Sequence, residues 1–216
     1  MFVKEHMTLD PVTITPDTSV PEALRLMREK KVRRLPILDR HGKLVGIVSD
    51  KDLLHASPSP ATSLAVWEIT ELLARLTVER VMTREVITVS EDALLEETAR
   101  IMVDQQVGGL PVMRGKTLVG IITESDLFKV LLELLGGRRE GLRLTVSTSG
   151  AKGTLAKITN AVFGIGGNIV GLGVSELADA GPNQWEIMLK VQDAQKEALV
   201  QAVQPVVNEV IDVRET

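Results

Sequence analysis

The chain has 216 residues, 44% hydrophobic and 25% charged, which is enough apolar material for a folded core and room for two or three small domains. Lys plus Arg number 25 against 29 Asp plus Glu; the formal charge of −4 removes the global basic signal of a dedicated nucleic-acid binder. With no Cys, no Tyr, three Phe and two Trp, the chain has no disulfide, no thiolate chemistry and few rings on which bases could stack. It shows neither a signal-peptide core nor an apolar run long enough to span a bilayer. A soluble, cytoplasmic protein is therefore expected, with no nucleic-acid and no membrane partner.

In chain order, residues 12–14 are a short β-branched run and read as a strand. Asp17 or Thr18 is placed to cap a helix with Pro21 in its first turn. Val20, Ala23, Leu24 and Met27 share one face of that helix. Residues 35–38 read as a strand, residues 39–42 as a hairpin turn and residues 44–48 as the returning strand. Ser49 and the acidic residues after it then cap a closing helix. Residues 57–63 read as a surface loop. Residues 64–76 read as a linking helix whose packed face includes Trp67.

The same grammar then returns. Residues 3–54 match residues 78–130 at one constant spacing, which drops by a single residue after the hairpin turn. Met7-Thr8 meets Met82-Thr83, Leu35-Pro36 meets Leu110-Pro111, Gly46 meets Gly120 and Asp52 meets Asp126. Each copy reads as strand, helix, strand, strand, helix in roughly 55 residues, too few to bury a full core alone, so two copies should pack face to face. At the end of each copy a hydroxyl and a carboxylate stand three residues apart at a helix start: Ser49 with Asp52, and Thr123 with Asp126. A carboxylate there could accept from both hydroxyls of a ribose, and the helix N-terminus suits a phosphate. The same residues also suit ordinary capping and the helix dipole, and both readings stay open.

The duplicated pattern resembles the CBS domain (cystathionine β-synthase type), and two in tandem resemble a CBS pair, or Bateman module. The resemblance implies two βαββα units with clefts for an adenosine nucleotide: AMP, ADP or ATP. It places Asp52, Asp126, Ser49, Thr123, Arg33, Arg34, Thr18, Ile37 and Val112 at the nucleotide, with Ile37 and Val112 on the strands that wall the adenine. The copies differ where charge matters. The first has Arg33-Arg34 before Leu-Pro and the second has Gly108-Gly109; Thr18 becomes Ala93. Arginine gives bidentate contacts to phosphate and glycine gives none, so the first cleft is expected to be the better equipped. The alternative reading of both arginines is solvated surface charge.

Residues 136–141 read as a short, flexible, polar linker. Beyond it, strand 142–147, a helix with Leu155, Ile158 and Val162 on one face, strands 168–177 and 184–191 around a turn at 178–183, a helix stopped by Pro205 and a strand 209–213 follow in the order βαββαβ, which is ferredoxin-like. The segment resembles an ACT domain, with Gly153 opening the helix and Asn168 opening the second strand. That resemblance implies a homodimer and, in some members, an amino acid held near Gly153 and Asn168; a purely structural role for these residues is favoured here.

The expected fold class is thus α+β: a CBS domain over 1–60, a linker helix over 61–77, a second CBS domain over 78–135, a linker over 136–141 and an ACT domain over 142–216. Two CBS domains and an ACT domain together resemble the acetoin utilisation (AcuB) group, which implies a regulator tied to acetoin or acetate metabolism. No catalytic constellation and no metal-ligand spacing appears; His6, His41 and His55 fall in unrelated places. The expectation is a non-catalytic nucleotide sensor acting on a partner enzyme. The alternative is a nucleotide-free dimeric adaptor.

Overall fold

The computed structural model describes residues 1–56, 76–176 and 184–216. Internal contacts divide the chain into two units, Met1–Leu127 and Phe128–Thr216. The linking helix expected over 61–77, with Trp67, and the turn at 178–183 fall largely or wholly outside the described residues.

The first copy contributes β1 (Thr8–Leu9), α1 (Val20–Lys30), β2 (Arg34–Leu38), β3 (Leu44–Ser49) and α2 (Asp50–His55). The second contributes β4 (Val89–Ser90), α3 (Leu95–Asp104), β5 (Gly109–Arg114), β6 (Thr117–Thr123) and α4 (Glu124–Leu134). Residues 12–14 do not form the expected strand. Only Ile14 pairs, through a parallel bridge to Ile37, because β2 meets the entering chain at this single point. Nor do Asp17 and Thr18 cap α1. The Ser19 hydroxyl does, accepting the Glu22 N–H at 3.4 Å, while Thr18 turns back to accept the Thr15 N–H at 3.2 Å. Pro21 sits in the first turn, and α1 ends at Lys31 in the left-handed region, φ 54°. Val20, Ala23 and Met27 face a core of Leu35, Ile37, Val48 and Leu53.

Each copy lends its leading segment to the other. Val78, which opens the second copy, is fully buried in the first copy's core, and its N–H donates to Thr18 O at 2.9 Å. In return the Val3 N–H donates to Ala93 O at 2.9 Å, and β1 pairs with β6 to make a four-stranded sheet of order β1-β6-β5-β4. The repeated Met-Thr and Gly-Ile pairs of the sequence meet here. A Cβ on Gly120 would lie 2.5 Å from Met7 Sδ and 3.0 Å from Thr8 O, and one on Gly46 would lie 2.5 Å from Met82 Sδ. Gly120→Val is therefore expected to lower stability by about 1–3 kcal/mol, read by thermal denaturation, because the added methyls meet strand β1 rather than open space. An unchanged melting temperature would show that the exchanged segment does not bind this tightly.

In the second unit β7 (Leu142–Thr148), α5 (Thr154–Gly164), β8 (Asn168–Glu176), β9 (Trp185–Gln192), α6 (Lys196–Val203) and β10 (Glu209–Glu215) follow in the expected order. The antiparallel sheet runs β10-β7-β9-β8. One sheet face, with Leu144, Val146, Ile187 and Leu189, packs on Ile158 and Val162 of α5 and on Leu199 and Val203 of α6. Leu155 departs from expectation and is 38% exposed, because α5 meets the sheet only from Ile158 onward.

On the other face lie Thr145, Met188 and Lys190, all buried. The chain leaving α4 passes over this side: Leu135 and Gly136 approach Gly171, and Gly136 rests on Lys190. The Lys190 ammonium donates to Gly141 O at 3.1 Å, to Thr216 O at 2.5 Å and to the Thr216 hydroxyl. The expected flexible linker is thus tied at both ends. Gly136 is buried, and Gly141 exchanges two backbone hydrogen bonds with Thr216.

Candidate functional site

The two hydroxyl–carboxylate pairs form the same local device. Ser49 ends β3 in an extended conformation and is the N-cap of α2; its hydroxyl accepts the Asp52 N–H at 3.3 Å. Asp52 reaches back, and its Oδ2 accepts the Ser49 N–H at 2.8 Å and the Ser49 O–H at 2.7 Å. In the second copy Asp126 Oδ2 accepts from Thr123 N–H at 3.0 Å and from the Thr123 hydroxyl at 2.7 Å. The first is a capping box and the second shows its reach-back half, each set where a strand feeds directly into a helix. Asp126 is only 7% exposed and Asp52 half-buried.

Capping does not exhaust the carboxylate. An ionised Asp offers about four lone-pair sites, and the cap of α2 uses one oxygen of Asp52. Among the described residues the cap bonds of Asp52 fall on Oδ2 alone, leaving Oδ1 as an acceptor whose direction the cap has fixed. The arrangement can therefore hold a vicinal diol next to a helix N-terminus, where backbone N–H groups and the helix dipole favour an anion.

The other expected residues separate. Ile37 and Val112 are completely buried, and Ile37 packs in the core of the first copy, so only the backbone of these strands is left to face a ligand. Thr18 is half-buried, with its hydroxyl engaged in the Thr15–Thr18 turn. In that turn the Thr15 hydroxyl bonds the Asp17 carboxylate and holds it below the ordinary carboxylate range. Arg33 is exposed, and its carbonyl accepts the Asp50 N–H at 3.0 Å; in the second copy the Gly108 carbonyl accepts the Glu124 N–H at 3.3 Å.

Arg34 does not stay with its own copy. Its backbone pairs with Ser49, but its side chain runs across to the second copy. A Cβ on Gly109 would lie 3.1 Å from Arg34 Cδ, and one on Gly108 would collide with Arg34 Nη2 and sit 2.7 Å from Glu124 Oε2. The two glycines thus make room for Arg34. Neither this crossing nor Glu124 was visible in the sequence, although the exchange of Arg-Arg for Gly-Gly carries its trace.

In the second unit Gly153 is the N-cap of α5 with φ 83°, a conformation glycine adopts freely, and open space surrounds it. A pocket of about 280 Å³ lies beside it, bounded by Thr148, Ser149, Thr154, Lys157 and Asn208. Asn168 is exposed and pairs with Gln192, whereas Trp185 at the far end of β9 pairs with Thr148. Asn168 and Gly153 therefore stand at opposite ends of the sheet, roughly 20 Å apart at strand rise, and do not share a site within one chain. Among the described residues no three His, Asp or Glu gather to hold a metal ion, and no helix is long and apolar enough to cross a membrane.

Comparison with known proteins supplies the rest. The CBS domain family profile matches residues 3–59 and 78–133, more than half of the chain. A CBS domain-containing protein of Dictyostelium discoideum is 34% identical over 136 residues, covering 62% of this chain and 94% of that protein. L-aspartate semialdehyde sulfurtransferase of Methanocaldococcus jannaschii is 32% identical over 141 residues, which is 64% of this chain but only 24% of that enzyme. Among solved structures, the CBS domain pair of protein MJ0100 with 5-methylthioadenosine and S-adenosyl-L-methionine is similar at TM-score 0.52 and 30% identity, over 64% of this chain and 98% of that one. CBSX2 in complex with AMP gives TM-score 0.51 and 32% identity over 61% and 96%. A putative acetoin utilization protein (AcuB) from Vibrio cholerae gives 0.53 and 34% over 64% and 95%.

Proposed function

Because this chain belongs to the CBS-domain family and carries two copies of its domain, we propose that it is a non-catalytic regulatory protein whose CBS pair binds an adenosine nucleotide, AMP, ADP or ATP. The observation that carries the reading is the carboxylate fixed beside a helix N-terminus in both copies, Asp52 by Ser49 and Asp126 by Thr123. Similar CBS pairs in complex with AMP, or with methylthioadenosine and S-adenosylmethionine, support the ligand class. A bound nucleotide favours one relative arrangement of the two copies, by as much as its affinity differs between arrangements.

The second unit is read as a ferredoxin-like, ACT-type domain that pairs two chains. Its βαββαβ order and sheet order support the reading, as do Leu172 and Val174, exposed on the edge strand β8. The likeness to the Vibrio cholerae protein suggests a link with acetoin or acetate metabolism and a partner enzyme there. A nucleotide-free adaptor is the second reading, favoured by the engagement of both carboxylates in their own caps.

Thermal denaturation separates the two. At a nucleotide concentration 100-fold above its Kd the folded state gains about 2.7 kcal/mol, so the melting temperature should rise by roughly 5 °C or more. Absence of any shift with millimolar AMP, ADP, ATP or S-adenosylmethionine would leave the adaptor standing.

A further inference from the structure

We propose that the second leading segment, residues 76–80, is a strap that opens on its own while its counterpart, residues 1–5, stays docked. Resting on the nucleotide reading, the same proposal has a nucleotide in the first cleft hold the strap shut. The two segments dock alike through their backbones. Val3 and Val78 are both fully buried. Lys4 N–H donates to Glu91 O at 2.9 Å, as Glu79 N–H donates to Pro16 O at 3.1 Å. Charge is what differs. Lys4 reaches across to Asp92, Nζ to Oδ1 2.7 Å. Glu91 of the same seat is gripped by Arg114, whose Nη2 donates to Oε2 at 2.7 Å. At the matching positions of the other copy Glu79 stands for Lys4, Asp17 for Asp92 and Pro16 for Glu91. A carboxylate thus takes the place of the ammonium, in register with another carboxylate.

Both acids are engaged on their own segments instead. Glu79 pairs with Arg84 at 3.4 Å, and Asp17 takes the Thr15 hydroxyl. Among the described residues no ion pair and no side-chain hydrogen bond joins the second segment to the first copy, so packing and backbone bonds alone hold it. An exposed ion pair shifts an equilibrium by no more than about fivefold, but two pairs on one side and like charges on the other act in the same direction. Opening has a defined consequence. Val78 leaves a hole beside Val20, Ala23 and Ile37, and the Thr18 carbonyl loses the N–H it accepts at 2.9 Å. Thr18 lies in the turn that the nucleotide reading sets at the first cleft. A ligand that orders this turn favours the docked strap, and by reciprocity an open strap weakens the ligand.

Amide hydrogen exchange of the full-length chain, read at Val3 and Val78, tests the proposal. Val78 is expected to be at least tenfold less protected than Val3. Glu79→Lys, which restores a pair with Asp17, should raise protection at Val78 about threefold and leave Val3 unchanged. Adding Asp17→Asn should remove most of that gain. Lys4→Glu should lower protection at Val3 by about threefold or more. Saturating AMP should protect Val78 more than Val3. Equal protection of Val3 and Val78, or no response of Val78 to Glu79→Lys, overturns the strap. AMP that binds by calorimetry yet protects Val78 no more than Val3 overturns its link to the cleft. Absence of AMP binding overturns the nucleotide reading and that link together, while the charge substitutions still decide whether the strap exists.

Discussion

Asp126→Ala is expected to weaken AMP binding at the second cleft by roughly a hundredfold and to lower the stability of the first unit by about 0.5–2 kcal/mol. The two losses have separate origins. The stability term comes from the cap: without the carboxylate, the N–H and hydroxyl of Thr123 lose the acceptor they share at 3.0 and 2.7 Å. The affinity term comes from the ribose, whose hydroxyls would each give a charge-assisted hydrogen bond worth about 1.5–3 kcal/mol. Asp126→Asn distinguishes them. The amide oxygen still accepts from Thr123, so stability should largely return, while an uncharged group recovers little of the affinity. Calorimetry gives the second quantity and a melting curve the first. A variant that melts lower but binds AMP as before would reduce Asp126 to a cap and leave the sensing role without its main residue.

The largest effect on stability is expected from Gly171→Ala. A Cβ at that point would lie 2.5 Å from Leu135 O and 2.7 Å from Gly136 N, so it strikes backbone and no rotamer change relieves it. Either β8 or the chain leaving α4 must move, at a cost of about 3 kcal/mol. Gly173→Ala is the matched control, since its new methyl comes close to Leu135 Cδ2 at 3.1 Å, the end of a flexible side chain, and meets Met188 at ordinary contact distance. Chemical denaturation of the two variants should show a large loss for the first and a small one for the second. Equal losses would mean that the passage over the sheet's second face is not held in place.

Much of the first unit was legible because its signals are local. A Ser or Thr three residues before an Asp at a strand–helix junction is a local signal, and in both copies the hydroxyl and the carboxylate meet. The hairpin with its turn at Gly42, φ 76°, is local in the same sense. What stayed hidden depends on contacts between distant segments. Residues 12–14 have strand-forming side chains but only one partner position, so Ile14 bridges and its neighbours do not. Ile37 looks like the wall of a cleft when its strand is drawn alone; Val20, Ala23 and Met27 of α1 share its core and bury it. Arg34 was read with the copy that encodes it because nothing in a linear pattern tells which copy a long side chain will visit. Gly153 and Asn168 were grouped by resemblance, yet strand direction puts them at opposite ends of the sheet.

The traded leading segments carry an implication for how such a chain could arise. A lone repeat would leave a hole where Val78 sits and an unpaired β6 edge where Thr8–Leu9 now lies. Two separate molecules could mend both defects by swapping arms, as domain-swapped dimers do. Tethering them end to end turns that bimolecular encounter into an intramolecular one, at an effective concentration on the order of millimolar, and frees the pair to diverge. Only after such a fusion can one half gain an arginine at position 34 while the other gives way with a glycine at 109.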